Sequence, residues 1–161
     1  MKIGAISDTH GDFRAIREAL KRLGDIDLLL HAGDFYEDAQ RIQQSLDIRV
    51  VSVVGNCDYM VRGPAEEMMA VGGRRIYLTH GHLYQVKKNL VLLIERAKSL
   101  GAHCVVFGHT HVPLVSHVDG LLLVNPGSPS TPRSGTKRAC AVLDVTQASV
   151  KAKTIYLDED N

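Results

Sequence analysis

The sequence predicts an α/β (α+β) fold in four αββα layers: two packed, mixed β-sheets with helices on their outer faces. Three observations lead there. First, five short apolar runs are bounded by Gly and Asp, as buried strands are: Ile3-Gly4-Ala5-Ile6, Leu28-Leu29-Leu30, Val50-Val51-Ser52-Val53-Val54, Ile76-Tyr77-Leu78 and Val105-Val106-Phe107. Second, a polar group follows each run, and the lead residues Asp8, Asp34, Asn56, His80 and His109 lie 26, 22, 24 and 29 residues apart. A strand, a crossover helix and the next strand need roughly 30 residues. Third, the pattern after His111 becomes that of antiparallel hairpins.

The elements follow in order. Residues 2–7 read as a strand. Gly11 or Asp12 opens a helix with Phe13, Ile16, Ala19, Leu20 and Leu23 on one face, closed by Gly24. A strand at 27–32, a polar helix over about 37–46 and a strand at 49–54 come next, before Gly63-Pro64 breaks the chain. Residues 66–71 and 74–80 form a hairpin turned at Gly72-Gly73. A helix over about 86–100 ends at Gly101, with Leu90, Leu93, Ile94 and Ala97 as its core stripe, and a strand covers 104–108. Strands at 112–118 and 121–125 flank Asp119-Gly120, and 138–145 pairs with 149–157. The whole chain, 1–161, is expected to form one domain.

The polar groups carry the chemistry. They are Asp8-Thr9-His10, Gly33-Asp34, Gly55-Asn56-Cys57-Asp58, Thr79-His80-Gly81-His82 and Gly108-His109-Thr110-His111. In open α/β sheets, ligands bind beyond the carboxyl ends of the strands, so five strand ends bring Asp, Asn and His to one place. Asp and Asn also favour turns, but four histidines on the same pattern make a metal site, and two metals, the better reading. Within Asp8/His10 and His109/His111, residues two apart in extended backbone point to one side, so each pair is expected to reach one ion.

Global properties exclude several classes. Net charge is +1, from 19 basic and 18 acidic residues, which leaves no broad footprint for nucleic acid or membrane. The chain enters a strand within three residues, so no signal peptide is expected, and no apolar run approaches the roughly 20 residues of a membrane-spanning helix. Three cysteines, Cys57, Cys104 and Cys140, without a close-spaced pair fit a reducing cytoplasm rather than a disulfide framework.

The order Asp-x-His, Gly-Asp, Gly-Asn-x-Asp, His and Gly-His-x-His resembles the calcineurin-like metallophosphoesterase superfamily. Its small YfcE/YsnB-type phosphodiesterase branch is the nearer match in length, in Gly55-Asn56-Cys57-Asp58, in His80-Gly81-His82 and in Asn125-Pro126-Gly127-Ser128. The resemblance runs from Asp8 to about Val145. It implies the metallophosphoesterase fold and a metal-dependent phosphodiesterase with two divalent ions: Asp8, His10 and His111 on one, Asn56, His80 and His109 on the other, and Asp34 bridging. The donor set needs no thiolate and suits Mn²⁺ first, with Ni²⁺, Fe or Zn²⁺ as alternatives. Two ions about 3.5–4 Å apart would turn a shared water into a bridging hydroxide nucleophile at neutral pH. Asp34, Asn56, Cys57, Asp58 and His82 are the residues expected at the reacting centre.

One position departs from the wider superfamily. Protein-phosphatase branches carry Gly-Asn-His-Asp, whose His helps protonate the leaving group; here the residue is Cys57. A neutral thiol, with a pKa near about 8.5, is a poor substitute for imidazolium. Dianionic monoesters need that positive donor more than monoanionic diesters do, so a small phosphodiester is the expected substrate. Two alternatives stand beside it: an interaction scaffold like the retromer subunit that shares this fold, and a phosphomonoesterase. Exposed edges of the late hairpins could support a homodimer or higher homo-oligomer.

Other polar residues have plainer readings. Asp12 reads as a helix N-cap, Asp58 as a turn residue or a support to the ligands, and His82 as a substrate contact or a surface histidine. His31 reads first as a satisfied buried histidine, with a supporting hydrogen bond to the site as the lesser reading; His103 reads as solvent-facing, and His117 as equally ordinary, with a substrate-rim role as its alternative. Asn125 to Ser128, with Pro129 and Pro132, reads as a rigid loop whose Arg133 could meet a phosphate at the rim. Asp158-Glu159-Asp160 reads as a solvated tail.

Overall fold

The computed structural model describes residues 1–133 and 135–158. The elements are β1 (Lys2–Ile6), α1 (Phe13–Leu23), β2 (Leu28–His31), α2 (Tyr36–Ser45), β3 (Arg49–Ser52), β4 (Glu66–Val71), β5 (Arg74–Thr79), a short 3₁₀ turn (His82–Tyr84), α3 (Val91–Ser99), β6 (Cys104–Phe107), β7 (Leu114–Val118), β8 (Leu121–Asn125), β9 (Ala139–Val145) and β10 (Val150–Tyr156). They make two five-stranded sheets, ordered β10-β9-β1-β2-β3 and β4-β5-β6-β8-β7. Both are mixed: β1, β2 and β3 run parallel, as do β5, β6 and β8, while β9, β10, β4 and β7 join antiparallel. The late hairpins end at sheet edges, β10 in one sheet and β7 in the other.

Period-two alternation sorts each apolar run between two cores. Ile3, Ala5, Leu28 and Leu30 meet Ile76, Leu78, Val106, Leu122 and Val124 between the sheets. The residues between them face outward. Ile6, Leu29 and Val142 pack against Ile16, Ala19 and Leu23 of α1 and Ile42 of α2. Tyr77, Val105, Phe107 and Leu123 pack against Leu93 and Ala97 of α3. The four layers are therefore helices, sheet, sheet and helix, as the sequence predicts.

Local chemistry explains the boundaries. Asp12 caps α1, its Oδ1 accepting from the amides of Arg14 and Ala15 at 3.0 and 2.9 Å. Gly72 and Gly73 both take positive φ, as do Asp119 and Gly120, which is the geometry of a two-residue hairpin turn. The third helix starts later than its sequence pattern suggests, at Val91 rather than near residue 86. Gln85, at φ 50°, ends the 3₁₀ turn, and the Asn89 side chain accepts from the Val91 amide at the new start. The parallel strands β1, β2 and β3 are also shorter than expected, because their carboxyl ends leave the sheets for the site loops. Asp158 is no free tail: it accepts from Arg138, whose guanidinium also holds Glu18. Residues 159 and 160 of that predicted tail lie outside the described residues.

Candidate metal centre

The carboxyl ends of β1, β2 and β5, with the turn after β6 and the loop after β3, converge on one buried cluster. Asp8, His10, Asp34 and His111 each offer a ligand atom, and these atoms all lie within 4.8 Å of one another. His80 stands beside them: its Nε2 is 3.1 Å from Asn56 Oδ1, 3.3 Å from Asp34 Oδ1 and 4.0 Å from Asp8 Oδ1. The His109 ring is 5.1 Å from that of His80, and the His82 ring 5.3 Å from it. Asp8, His10, Asp34, Asn56, His80, His82, His109 and His111 therefore lie close together.

The backbone gets them there by an unexpected route. Asp8, His10, Asp34, His109 and His111 all have φ between 47° and 66°. L-residues are strained in this left-handed region, and single residues there cluster at functional sites. The expectation that extended backbone aims Asp8/His10 and His109/His111 is thus wrong in its geometry. For the second pair it is wrong in outcome too: the His111 ring lies 5.3 Å from that of His10, whereas His109 turns towards His80.

The ring nitrogens are ordered by backbone. His80 Nδ1 donates to the Ala32 carbonyl at 2.7 Å, and His111 Nδ1 to the Thr131 carbonyl at 2.5 Å. Each donation assigns the proton to Nδ1 and leaves the Nε2 lone pair facing the cluster. His10 Nε2 and Asp8 Oδ1 are buried without a hydrogen-bond partner. His111 Nε2 comes within 3.1 Å of Asp8 Oδ1 but off the line of a hydrogen bond, so proximity here does not satisfy the oxygen. A knot of buried acceptors that lacks donors is costly unless a cation sits among them. The donors therefore fit a metal, and Asp8, His10, Asp34 and His111 are the residues best placed to hold one.

Charge follows the same geometry. Burial pushes Asp8 up, but the close His111 and His80 rings bring it below the usual carboxylate range. Asp8 in turn raises His111, against the effect of burial. Burial, then the charge of His80, lowers His109 to about 4. Burial, then hydrogen bonding to Asp34, pushes the Cys57 thiol up to about 11, which keeps it protonated.

A shell of hydrogen bonds fixes the loops. Ser7 donates to Asp8 Oδ2 at 2.6 Å, and the His109 amide to the same oxygen at 3.1 Å. Ser128 and Ser130 both donate to the Asp8 carbonyl, at 2.8 and 3.0 Å. Asn125 donates to the Gly108 carbonyl and Thr110 hydroxyl while accepting from the Gly127 amide. The loop read as merely rigid is therefore a brace for the cluster. Asp58 is a brace as well, accepting from the amides of Tyr36 and Gly55 at 2.8 and 2.7 Å. Asp34 Oδ1 accepts from the Cys57 amide at 2.9 Å.

Asp38 was not legible in the sequence. It is buried within the polar helix α2 and accepts from Thr9 Oγ1 at 2.7 Å and the Gly11 amide at 2.9 Å. His31 Nε2 reaches the same Thr9 hydroxyl at 3.0 Å, but its Nδ1 is buried without a partner, so His31 is only half satisfied. Burial lowers its pKa to about 4. Ser7 carried no signal either. His103 accepts from the Arg75 amide at 3.0 Å rather than simply facing water, and His117 is exposed on β7, away from the cluster's contacts.

A four-layer α/β sandwich with buried Asp and His and half-buried Asn56 at its strand ends is the arrangement expected of a metal-dependent hydrolase. Residues 1–148 match the calcineurin-like phosphoesterase superfamily domain, and the chain belongs to that superfamily. It is 35% identical over 144 residues to the probable metallophosphoesterase YsnB of Bacillus subtilis, covering 89% of this chain and 83% of that one. It is 28% identical over 179 residues to the phosphodiesterase YfcE of Escherichia coli, covering 94% and 92%. A crystal structure of a predicted phosphoesterase from Streptococcus pneumoniae superposes with a TM-score of 0.83 at 28% identity, covering 99% of this chain and 91% of that one. The Zn²⁺ complex of Vps29 from Entamoeba histolytica shares the fold, with a TM-score of 0.76 at 22% identity over 98% and 100% of the chains.

Proposed function

We propose that the chain is a metal-dependent phosphodiesterase with two divalent ions, Mn²⁺ foremost. The observation that carries this reading is the pair of buried atoms without a hydrogen-bond partner, His10 Nε2 and Asp8 Oδ1, set beside the Nε2 atoms of His80 and His111, whose Nδ1 protons go to backbone carbonyls. Asp8, His10 and His111 would hold one ion; Asn56, His80 and His109 the other; Asp34 would bridge. When bound, the ions supply a water activated for attack at neutral pH and positive charge for the transferring phosphoryl group.

The chain's own residues do the rest. The Ala32 and Thr131 carbonyls fix the tautomers of His80 and His111. Ser7, Ser128 and Ser130 hold Asp8 in its left-handed turn. Asp58 and the Cys57 amide fix the loop that presents Asn56 to His80. Cys57, protonated and uncharged, offers no cationic acid for a dianionic monoester, which favours a monoanionic diester. The relative named as a phosphodiesterase, YfcE, supports the same choice. The likeness to Vps29 is one of fold and leaves partner binding as the competing reading.

The test is hydrolysis of bis(p-nitrophenyl) phosphate beside p-nitrophenyl phosphate, on metal-stripped protein and again with Mn²⁺, with Asp34→Asn in parallel. Metal-dependent diester cleavage that is lost in the variant is the expected result. No turnover with any divalent metal, in protein that binds two ions, would move the weight to an interaction scaffold.

A further inference from the structure

Two clefts flank the cluster, and they differ in charge. One, of about 280 Å³, is lined by Phe35, Glu37, Cys57, Asp58, Tyr59 and Met60, and its charged residues are acidic. The other, of about 390 Å³, is walled by Val86, Leu90, Phe107, Val112 and Leu114, with Lys87 and Arg133 at its sides. Thr110, between His109 and His111, lines this second cleft and joins it to the cluster. Among the described residues neither Lys87 nor Arg133 has an ion-pair partner, whereas Arg138, Arg96 and Lys98 are all paired.

We propose that the cleft between Lys87 and Arg133 binds one arm of the diester, an arm with an apolar ring and a second anionic group, phosphate or carboxylate. This rests on the phosphodiesterase reading and adds the substrate class. A phosphodiester has two arms, and the cluster sits between two clefts. The apolar walls suit a flat ring. Two unpaired cations suit a second anion, and the guanidinium fork of Arg133 suits phosphate oxygens in particular. The acidic cleft repels such an anion, so charge sets the orientation of an asymmetric diester.

The experiment compares two chromogenic diesters that differ by one phosphate: thymidine 5′-(p-nitrophenyl phosphate) and its 3′-phosphorylated form. Each is assayed with Mn²⁺ on the parent protein, Lys87→Ala, Arg133→Ala and the double variant. Both residues are exposed, so folding is not at stake. The parent should prefer the 3′-phosphorylated probe by at least about tenfold in kcat/KM, and each variant should lose about tenfold on that probe alone, one charge-assisted contact apiece. No preference in the parent, or an equal fall on both probes, overturns the proposal. A second readout needs no turnover: titration of thymidine 3′,5′-bisphosphate into metal-free protein, followed by methyl shifts of Val86, Leu90, Val112 and Leu114. If neither diester is cleaved, the phosphodiesterase reading fails. Bisphosphate binding abolished in the double variant would still sustain the cleft as an anion site, and no binding would overturn it.

Discussion

Asp34 lies at the meeting of both candidate ligand groups, 3.3 Å from His80 Nε2 through the same oxygen that the Cys57 amide donates to. Asp34→Asn keeps that oxygen as an acceptor but removes the negative charge. It should fold normally and lose about a thousandfold or more in diester hydrolysis, because the metal-derived stabilisation is worth several kcal/mol; calorimetric metal titration alongside the assay checks the cause. Cys57→His tests the leaving-group argument. An imidazole there should raise monoesterase relative to diesterase activity, and an unchanged ratio in folded, metal-loaded protein would refute the role given to Cys57. His31 tests burial. Its folded pKa, about 4, lies below the unfolded value near 6.5, so the unfolded chain binds the extra proton between these values. Stability should therefore fall as pH drops through that window, by up to about 3 kcal/mol from this residue. His31→Gln should flatten the slope in denaturant unfolding of metal-stripped protein between pH 7 and pH 5.

At the scale of elements, the turns separate structural glycines from site glycines. Gly120 turns the β7–β8 hairpin at φ 81° with nothing within 4 Å of where a Cβ would stand. Gly120→Ala meets only backbone strain and should cost about 1–2 kcal/mol in unfolding, with diester cleavage unchanged. Gly33 has φ 90°, and a Cβ there would stand 2.7 Å from His80 Nδ1. Gly33→Ala should cost more, and should also weaken metal binding by displacing the ring that Ala32 anchors; paired unfolding and metal titrations separate the two outcomes. The strands and hairpins were readable because alternation and Gly-Gly or Asp-Gly turns are local signals. The late start of α3 was not: residues 86–90 carry a helical apolar pattern, but Val86 spends its side chain on the outer core beside Phe107 rather than on a helix face. Asp38 carries no local signal for a similar reason. It looks like an ordinary charge in a polar helix, and only the packing of α2 against the Thr9–Gly11 loop buries it.

For the whole molecule, metal binding at the cluster would be coupled to folding. The candidate ligands come from loops after strands in both sheets, and the site exists only when the sheets are packed face to face. Binding to the folded state alone raises stability by about 2.7 kcal/mol at a hundredfold excess over Kd. The melting temperature of stripped protein should therefore rise with Mn²⁺ concentration, and Asp34→Asn should blunt the response; scanning calorimetry over a metal series checks it. The sequence by itself determined the layers, the strand order along the chain and the set of polar residues at the strand ends, because period-two burial and glycine turns are written residue by residue. Tertiary structure decided how those residues share the site. His109 and His111 sit two apart in the chain and face different neighbours, because left-handed turns aim them apart and Thr131, from a distant loop, holds one ring. It also decided that Lys87 and Arg133, 46 positions apart, flank one cleft. Spacing along a chain records which strand a residue follows; the direction of its side chain depends on the dihedral angles and long-range hydrogen bonds that the packed sheets impose.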